Sequence, residues 1–379
     1  MKVYKKAFLP AGFVAGGMAS GIKRSGKLDL ALFYSLQPSV VSVKSTKNKM
    51  AAAPVRLNRE RVKKNSRFQA IVVNSGNANC FTGEPGMGDA RNMARYAGFG
   101  LGVKADSVLV ASTGIINKRL PVSKVKAAMP ALVKGLSARG IDKASKAILT
   151  TDTFAKEVSV KFELGSRPVT ICGIAKGSGM CAPNMATMLA FIFTDAAIET
   201  KAMDKSLGFA VDRSFNCVSV DNCMSTNDTV ILMANGRAGN RVVKAGKDLD
   251  VFRLALNIVC IELAKMIAKD GEGATKFIRV RVDKAKDFDQ ARKIALSVAN
   301  SDLVKTALYG QSPNYFGRVV AAVGATGIDI KEKDLKIKAS SLKKKEIDID
   351  ITVNTGKEHA MVFTCDMTHG YIKINTEYN

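Results

Sequence analysis

Residues 176–196 read KGSGMCAPNMATMLAFIFTDA, and this stretch joins a loop-forming half to an apolar half. Glycines and a proline crowd the part before Thr187, and the part after it has the composition of a buried strand. A hydroxyl residue therefore lies where a glycine-rich approach meets a rigid strand. From these residues alone two interpretations stay open: a polar residue that begins a strand, or a nucleophile.

A nucleophile at this position would need an unusual base. The chain has only two histidines, His359 and His369, both near the C-terminus, which argues against a Ser-His-Asp triad and against a zinc site. The α-amine of an N-terminal threonine can accept the proton of its own hydroxyl instead. Thr187 becomes N-terminal only if the bond between Ala186 and Thr187 breaks. Its hydroxyl could attack the carbonyl of Ala186, shift the acyl group from nitrogen to oxygen, and let water release it.

The composition excludes several other classes of protein. The 379 residues are enough for two domains, and 47% of them are apolar, which suits a large core. The chain contains no run of 18 uncharged apolar residues, so the sequence does not predict a membrane span. Seven scattered cysteines without CxxC spacing are typical of reduced thiols in the cytoplasm.

The formal net charge of +25 is the feature that favours a nucleic-acid-binding protein. The lysines are spread along the whole chain, however, and the denser basic patches have no aromatic residues between them. Tryptophan is absent, so stacking platforms for bases are poor. A generally basic surface explains the charge better, and nucleic-acid binding stays a remote alternative.

Hydrophobic periodicity predicts strands and helices without strict βα alternation. This pattern favours a mixed α/β (α+β) fold of layered sheets with helices over a doubly wound nucleotide-binding fold. We expect a hairpin from residues 156–164 and 169–177 and a helix over 123–140 that stops at Gly140. We also expect one helix over 288–308 and a strand over 371–378.

The stretch KGSGMCAPNMATML resembles the cleavage-site signature of the ornithine acetyltransferases, also called bifunctional glutamate N-acetyltransferases of arginine biosynthesis. Further blocks resemble that family in the same order from end to end, among them VVNSGNANCFTG, STGIIN, ILTTDT, SFNCVSVDNCMSTNDTV, DGEGATK and YIKINTEY. The resemblance covers essentially the whole chain. It implies a self-cleaving enzyme of the N-terminal-nucleophile type that needs neither a metal nor a cofactor.

The resemblance also implies a role for each matching residue. The precursor would divide into an α chain, 1–186, and a β chain, 187–379, that begins with the nucleophile Thr187. The hydroxyl of Thr113 and the N–H of Gly114 match the oxyanion hole. The substrate-binding positions are Thr150, Lys176, Thr187, Glu272 and Asn375. The implied partners are N2-acetylornithine, L-glutamate and a second copy of the two chains in an α2β2 heterotetramer.

Two alternatives remain within the chemistry of a self-cleaving enzyme. Acetyl-CoA could be a second acetyl donor, and the sequence contains no distinct CoA motif that decides this. An amide hydrolase or aminopeptidase could use the same nucleophile and pass the acyl group to water. Membrane association is not expected.

Overall fold

The computed structural model describes residues 1–182 and 188–377, in two compact units. The first unit comprises Met1–Gly177, Thr187–Val211 and Ser225–Leu263, and the second comprises Ser178–Ala186, Asp212–Met224 and Ala264–Asn379. The predicted cleavage point between Ala186 and Thr187 lies outside the described residues. The division into an α and a β chain therefore stays a prediction.

Nine strands form the sheet of the first unit. They are β1 (Lys2–Tyr4), β2 (Phe13–Met18), β3 (Leu30–Ser45), β4 (Phe68–Asn77), β5 (Val108–Ile115), β6 (Lys156–Leu164), β7 (Arg167–Lys176), β8 (Leu189–Thr194) and β9 (Thr229–Ala234). Their order is β1-β6-β7-β8-β9-β3-β4-β5, with β2 paired to β3. The pairs β4–β5 and β8–β9 are parallel, and the other pairs are antiparallel.

Helices cover both faces of this sheet. They are α1 (Ala53–Lys64), α2 (Gly83–Leu101), α3 (Val122–Lys134), α4 (Ile141–Ala147), α5 (Thr200–Asp212) and α6 (Gly246–Lys269), and the division between the units falls within α6. A short 3-10 helix, Ala105–Ser107, precedes β5.

The alternation of side chains along β4 shows how the layers pack. Ala70 and Val72 belong to a core with α1, α2 and α3, whereas Ile71 and Val73 belong to a core with β7, β8 and β9. Because successive side chains of a strand point to opposite faces, this strand contributes to two hydrophobic layers at once. A side chain at Gly173 of β7 would overlap Val259 of α6, so this helix packs closely against the strand.

The second unit has a four-stranded sheet with helices packed against it. Its strands are β10 (Phe277–Ala285), β11 (Lys336–Ala339), β12 (Glu346–Thr352) and β13 (Glu358–Cys365), in the order β11-β12-β10-β13. Its helices are α7 (Phe288–Ala299), α8 (Asp302–Tyr309), α9 (Tyr315–Gly324) and α10 (His369–Glu377), with short 3-10 helices at Phe215–Cys217 and Glu332–Asp334. Apolar residues of α7, α8 and α9 share one core with β10, β12 and β13.

The expected mixed α/β fold and the hairpin of β6 and β7 are confirmed. The helix expected over 288–308 is wrong as a single element, because Ser301 begins α8 by accepting a hydrogen bond from the N–H of Val304. The helix expected to stop at Gly140 ends at Lys134, before Gly135. Among the described residues, no helix is both long and apolar enough to cross a bilayer.

The strand expected over 371–378 is also wrong: residues 369–377 form the helix α10. The alternating pattern of YIKIN is typical of a strand, but Thr368 begins a helix here. Its hydroxyl accepts hydrogen bonds from the N–H groups of Gly370 and Tyr371, at 3.0 and 3.4 Å. Such an N-cap satisfies donors that a helix start leaves free, so local capping outweighs the alternation.

Candidate active site

Thr113 and Gly114 lie at the C-terminal end of β5, beside the end of the parallel strand β4. Gly114 has a φ of +135°, a region that side-chain-bearing residues rarely adopt. A methyl group at Gly114 would overlap the backbone of Gly76 and Asn77 on β4. Only glycine fits this close approach, which explains why a glycine follows Thr113 near the end of β5.

Buried polar groups hold this strand end in place. The hydroxyl of Ser112 donates to Oδ1 of Asn74 at 2.6 Å, which joins β5 to β4. The amide Nδ2 of Asn227 donates to the carbonyls of Ser112 and Ala78, at 2.8 and 2.6 Å. Because these groups are shielded from water, each hydrogen bond is costly to break, and the position of Thr113 is well determined.

The second group of predicted residues surrounds Asp152, whose side chain is fully buried. Its carboxylate lies 2.7 Å from the Nζ of Lys156 and 3.8 Å from the Nζ of Lys176. It also accepts hydrogen bonds from the N–H groups of Thr150, at 2.9 Å, and Gly177, at 2.6 Å. One carboxylate that the sequence analysis did not select therefore positions both Thr150 and Lys176.

We call Lys23, Asp152, Lys156 and Lys176 the basic cluster. Burial alone would raise the pKa of Asp152, but Lys176 and Lys156 together hold it well below its ordinary range. Burial, and then the charge of Lys176, lower the pKa of Lys23 to about 8 against the effect of Asp29. With three lysines and one carboxylate, the cluster has excess positive charge and is suited to hold a carboxylate ligand.

Lys23 links the basic cluster to the strand end. Its Nζ donates to two backbone carbonyls, those of Leu28 and Leu149. Its Cγ occupies the space into which a side chain at Gly76 would extend. Gly76 is paired with Gly114 across β4 and β5. The four residues Thr113, Gly114, Thr150 and Lys176, which the sequence predicts for one site, are thus connected through contacts within the first unit.

The remaining substrate-binding predictions, Glu272 and Asn375, are hydrogen-bonded to each other in the second unit. Nδ2 of Asn375, on α10, donates to Oε2 of Glu272 at 2.9 Å. The N–H of Glu272 donates to the carbonyl of Ser178 at 2.9 Å, and a side chain at Gly179 would overlap the Glu272 carboxylate. The second glycine of KGSG, Gly179, therefore leaves room for an acidic side chain.

Asp221 adds a second carboxylate to this part of the molecule. It accepts hydrogen bonds from the N–H groups of Met180, at 2.6 Å, and Cys181, at 2.8 Å, and the Tyr371 hydroxyl lies 3.4 Å away. Burial raises the pKa of Asp221, with a further contribution from Glu272. Burial and the charge of Asp221 raise the pKa of Tyr371. We call Asp221, Glu272, Tyr371 and Asn375 the acidic site.

Sequence reasoning missed several polar residues that position the predicted ones. Asp152, Asp221 and Asn227 lie within blocks that carry the family resemblance, so their place in the sequence was a signal. What the sequence could not show was that Asp152 and Asn227 are buried, and that Asp152 contacts both Thr150 and Lys176. Ala186 and Thr187, the predicted cleavage site, lie outside the described residues.

The strand end shaped by glycine lies beside the largely buried basic cluster, and a group of this charge suits an anionic ligand. A family model described as the ArgJ family matches residues 14–379. The chain therefore belongs to the ArgJ family, and the resemblance drawn from its motifs is confirmed.

Curated relatives extend this match over nearly the whole chain. The "Arginine biosynthesis bifunctional protein ArgJ" of Caldanaerobacter subterraneus is 45% identical, covering 98% of this chain and 98% of the relative. The protein of the same name from Geobacter sulfurreducens is 43% identical, covering 97% and 98%. A solved structure of ornithine acetyltransferase complexed with ornithine, from Mycobacterium tuberculosis, is 36% identical over 48% of this chain and 97% of that chain, with a TM-score of 0.45.

Proposed function

We propose that this protein transfers the acetyl group of N2-acetylornithine to L-glutamate through an acetyl ester on Thr187. The precursor first cleaves itself between Ala186 and Thr187, which frees the α-amine of Thr187. That amine, with a pKa near 8 in the free state, accepts the proton of its own hydroxyl. The observation that carries the proposal is the Thr113–Gly114 strand end, connected through Lys23 to the basic cluster.

Each half-reaction uses the same groups. The Thr187 oxygen attacks the acetyl carbonyl, and the Thr113 hydroxyl and Gly114 N–H stabilise the oxygen that becomes negative. The C–N bond then breaks, ornithine leaves with the proton, and the acetyl ester remains. The amine of glutamate attacks this ester, which gives N-acetylglutamate and restores Thr187.

Substrate binding follows the charges of the residues. Lys176 pairs with a substrate carboxylate, and Thr150 supplies a polar contact beside it. On the family resemblance, Glu272 holds the substrate ammonium and Asn375 supports Glu272. The functional form is an α2β2 heterotetramer in the cytoplasm.

Intact mass spectrometry tests the self-cleavage. The wild-type protein should split into fragments 1–186 and 187–379, and Thr187→Ala should remain one chain of 40.5 kDa. Thr187→Ser keeps a hydroxyl and should still split. A wild-type protein that never splits would contradict the proposal.

Acetyl transfer needs its own assay. Labelled acetylornithine without glutamate should leave label on the β chain, and initial rates with both substrates should give parallel double-reciprocal lines. Free acetate that forms at a rate unaffected by glutamate would indicate the hydrolase instead. Activity with acetyl-CoA and glutamate would show that acetyl-CoA is a second acetyl donor. It would leave the assignment of acetylornithine as a donor unchanged.

A further inference from the structure

A cavity of about 640 Å³ lies between α1 and α2 in the first unit, at the N-terminal end of β5. Arg61 of α1 lines this cavity, and its guanidinium donates to the carbonyl of Val108, the first residue of β5. Thr113 lies five residues further along the same strand, which corresponds to about 17 Å at the rise of a β-strand. The cavity is therefore separate from the strand end of the candidate active site.

Arg61 is a buried cation whose charge is only partly balanced. Its side chain is 8% exposed, and the carboxylate with which it pairs, that of Asp106, lies 3.6 Å away on a largely exposed side chain. Its Nε has no hydrogen-bond partner among residues 1–182 and 188–377. Burial lowers the pKa of Arg61, Asp106 acts against this, and the positive charge of Arg91 adds to it. A buried cation with so little compensation is stabilised by an anion.

Three further basic side chains line the same cavity: Lys64 of α1, and Arg91 and Arg95 of α2. In the part of the chain that the structure describes, none of these three forms an ion pair. Against four cations in all, the lining offers two carboxylates, those of Glu60 and Asp106. Positive charge is consequently in excess, and it comes from two helices that face each other across the cavity.

The chemistry and size of the lining indicate which kind of anion fits. Guanidinium groups present a planar fork of donors that matches the oxygens of a phosphate group. The volume lies in the range of pockets that hold small molecules. The described residues that line it include no aromatic side chain, so a nucleobase would find no ring on which to stack. These features favour a hydrophilic phosphate ester over a nucleic acid.

We propose that this cavity is a binding site for a small hydrophilic molecule that carries a phosphate group, held by Arg61 and Arg91 from two sides. Lys64 and Arg95 supply further positive charge at the same site. The proposal goes beyond acetyl transfer, because the site includes none of the residues assigned to that reaction. Binding is measured directly, so the test has the same meaning whether or not the protein transfers acetyl groups.

Isothermal titration calorimetry of the full chain with inorganic pyrophosphate, at about 0.15 M ionic strength, tests the proposal. Pyrophosphate carries two linked phosphate groups, so it can reach cations on both helices. We expect saturable binding of one pyrophosphate per chain with a Kd below about 1 mM. The double variant Lys64→Gln with Arg91→Gln removes one exposed cation from each helix. Its Kd should rise by ~30-fold or more, because hydrogen bonds to charged groups are lost.

The matched control is the double variant Lys63→Gln with Lys104→Gln. Lys63 is the neighbour of Lys64 on α1, and Lys104 directly precedes the 3-10 helix before β5. Both side chains are exposed and lie outside the cavity lining. The control loses the same two charges, so its Kd should change less than about threefold. Equal weakening in the two double variants, or no saturable binding to the wild-type protein, would overturn the proposal.

A short DNA duplex in the same titration separates a small-molecule site from a nucleic-acid surface. We expect the two double variants to bind the duplex equally, because a polyanion responds to the general charge of the surface. A duplex whose binding weakens only in Lys64→Gln with Arg91→Gln would assign the cavity to nucleic acid and refute the proposal.

A crystal structure of the protein soaked with pyrophosphate gives the position of the ligand. We expect phosphate oxygens within about 3.2 Å of the Arg61 or Arg91 guanidinium. Pyrophosphate bound only elsewhere on the molecule would contradict the assignment of the cavity.

Discussion

The basic cluster and the acidic site differ in how firmly their residues are held. In the basic cluster the charged groups of Asp152, Lys156 and Lys176 are at most 3% exposed. In the acidic site Asn375 is exposed on α10, a helix without buried residues, and its amide bonds Glu272. A buried network of charges and hydrogen bonds keeps one geometry, whereas an exposed hydrogen bond breaks and re-forms with little change in free energy. On the proposed function, we expect the buried residues of the first unit to fix the geometry of the reaction, and Asn375 of the acidic site to contribute only adjustable substrate recognition.

The largest effect should come from Asp152→Asn. The change leaves Lys156 and Lys176 buried without their carboxylate, and breaking such a pair costs about 3–5 kcal/mol. Denaturant unfolding in a Thr187→Ala background, which keeps one chain, measures the loss. Asp204→Asn, whose carboxylate pairs with Lys44 but is half exposed, should cost less than about 1 kcal/mol. Equal losses in the two variants would remove the contrast between buried and exposed charge.

The stability lost in Asp152→Asn should also depend on pH. The pKa of Asp152 is lowered in the folded state, so its contribution to stability is complete above the unfolded value, about 3.9, and is lost as pH falls below it. The stability difference between the parent and Asp152→Asn should be constant from pH 5 to 7 and shrink below about pH 4. A difference that grows toward acid would contradict the charge assignment.

Gly114→Ala should give the next largest effect, about 3 kcal/mol or more of lost stability, because the methyl group overlaps the backbone of β4 in a strained φ region. Acetyl transfer should fall below detection. Gly102→Ala is the matched control, since Gly102 has a φ of +69° but open space around its Cα. It should lose only about 1–2 kcal/mol and keep its activity.

Thr113→Val removes the hydroxyl of the proposed oxyanion hole and keeps the shape of the side chain. Loss of one oxyanion donor should lower kcat by ~10²-fold while KM for acetylornithine changes little. Thr194→Val removes another buried hydroxyl, one that accepts from the N–H of Ala196, and should leave kcat near wild type. A Thr113→Val enzyme with normal turnover would place the oxyanion hole elsewhere.

The sequence predicted the mixed α/β fold and the hairpin of β6 and β7 because hydrophobic periodicity and turn residues report local structure. The prediction of Thr113, Gly114 and Lys176 as site residues came only from matching family blocks, and it stays a prediction. The sequence did not reveal Asp152, whose contacts depend on burial and on Lys176, a partner 24 positions away. It failed at α10, where the hydroxyl of Thr368 decides the structure over the alternating pattern that follows it.

The smallest effect should come from Asn375→Ala, which removes the exposed hydrogen bond to Glu272. A hydrogen bond of this kind contributes about 0.5–1 kcal/mol, so KM for both substrates should rise two- to five-fold, at roughly constant kcat. Asn354→Ala removes an equally exposed bond, to the carbonyl of Asp334, and should change neither constant. If Asn375→Ala instead lowered kcat a hundredfold, the acidic site would take part in the chemical step, and the division of roles between buried and exposed residues would fail.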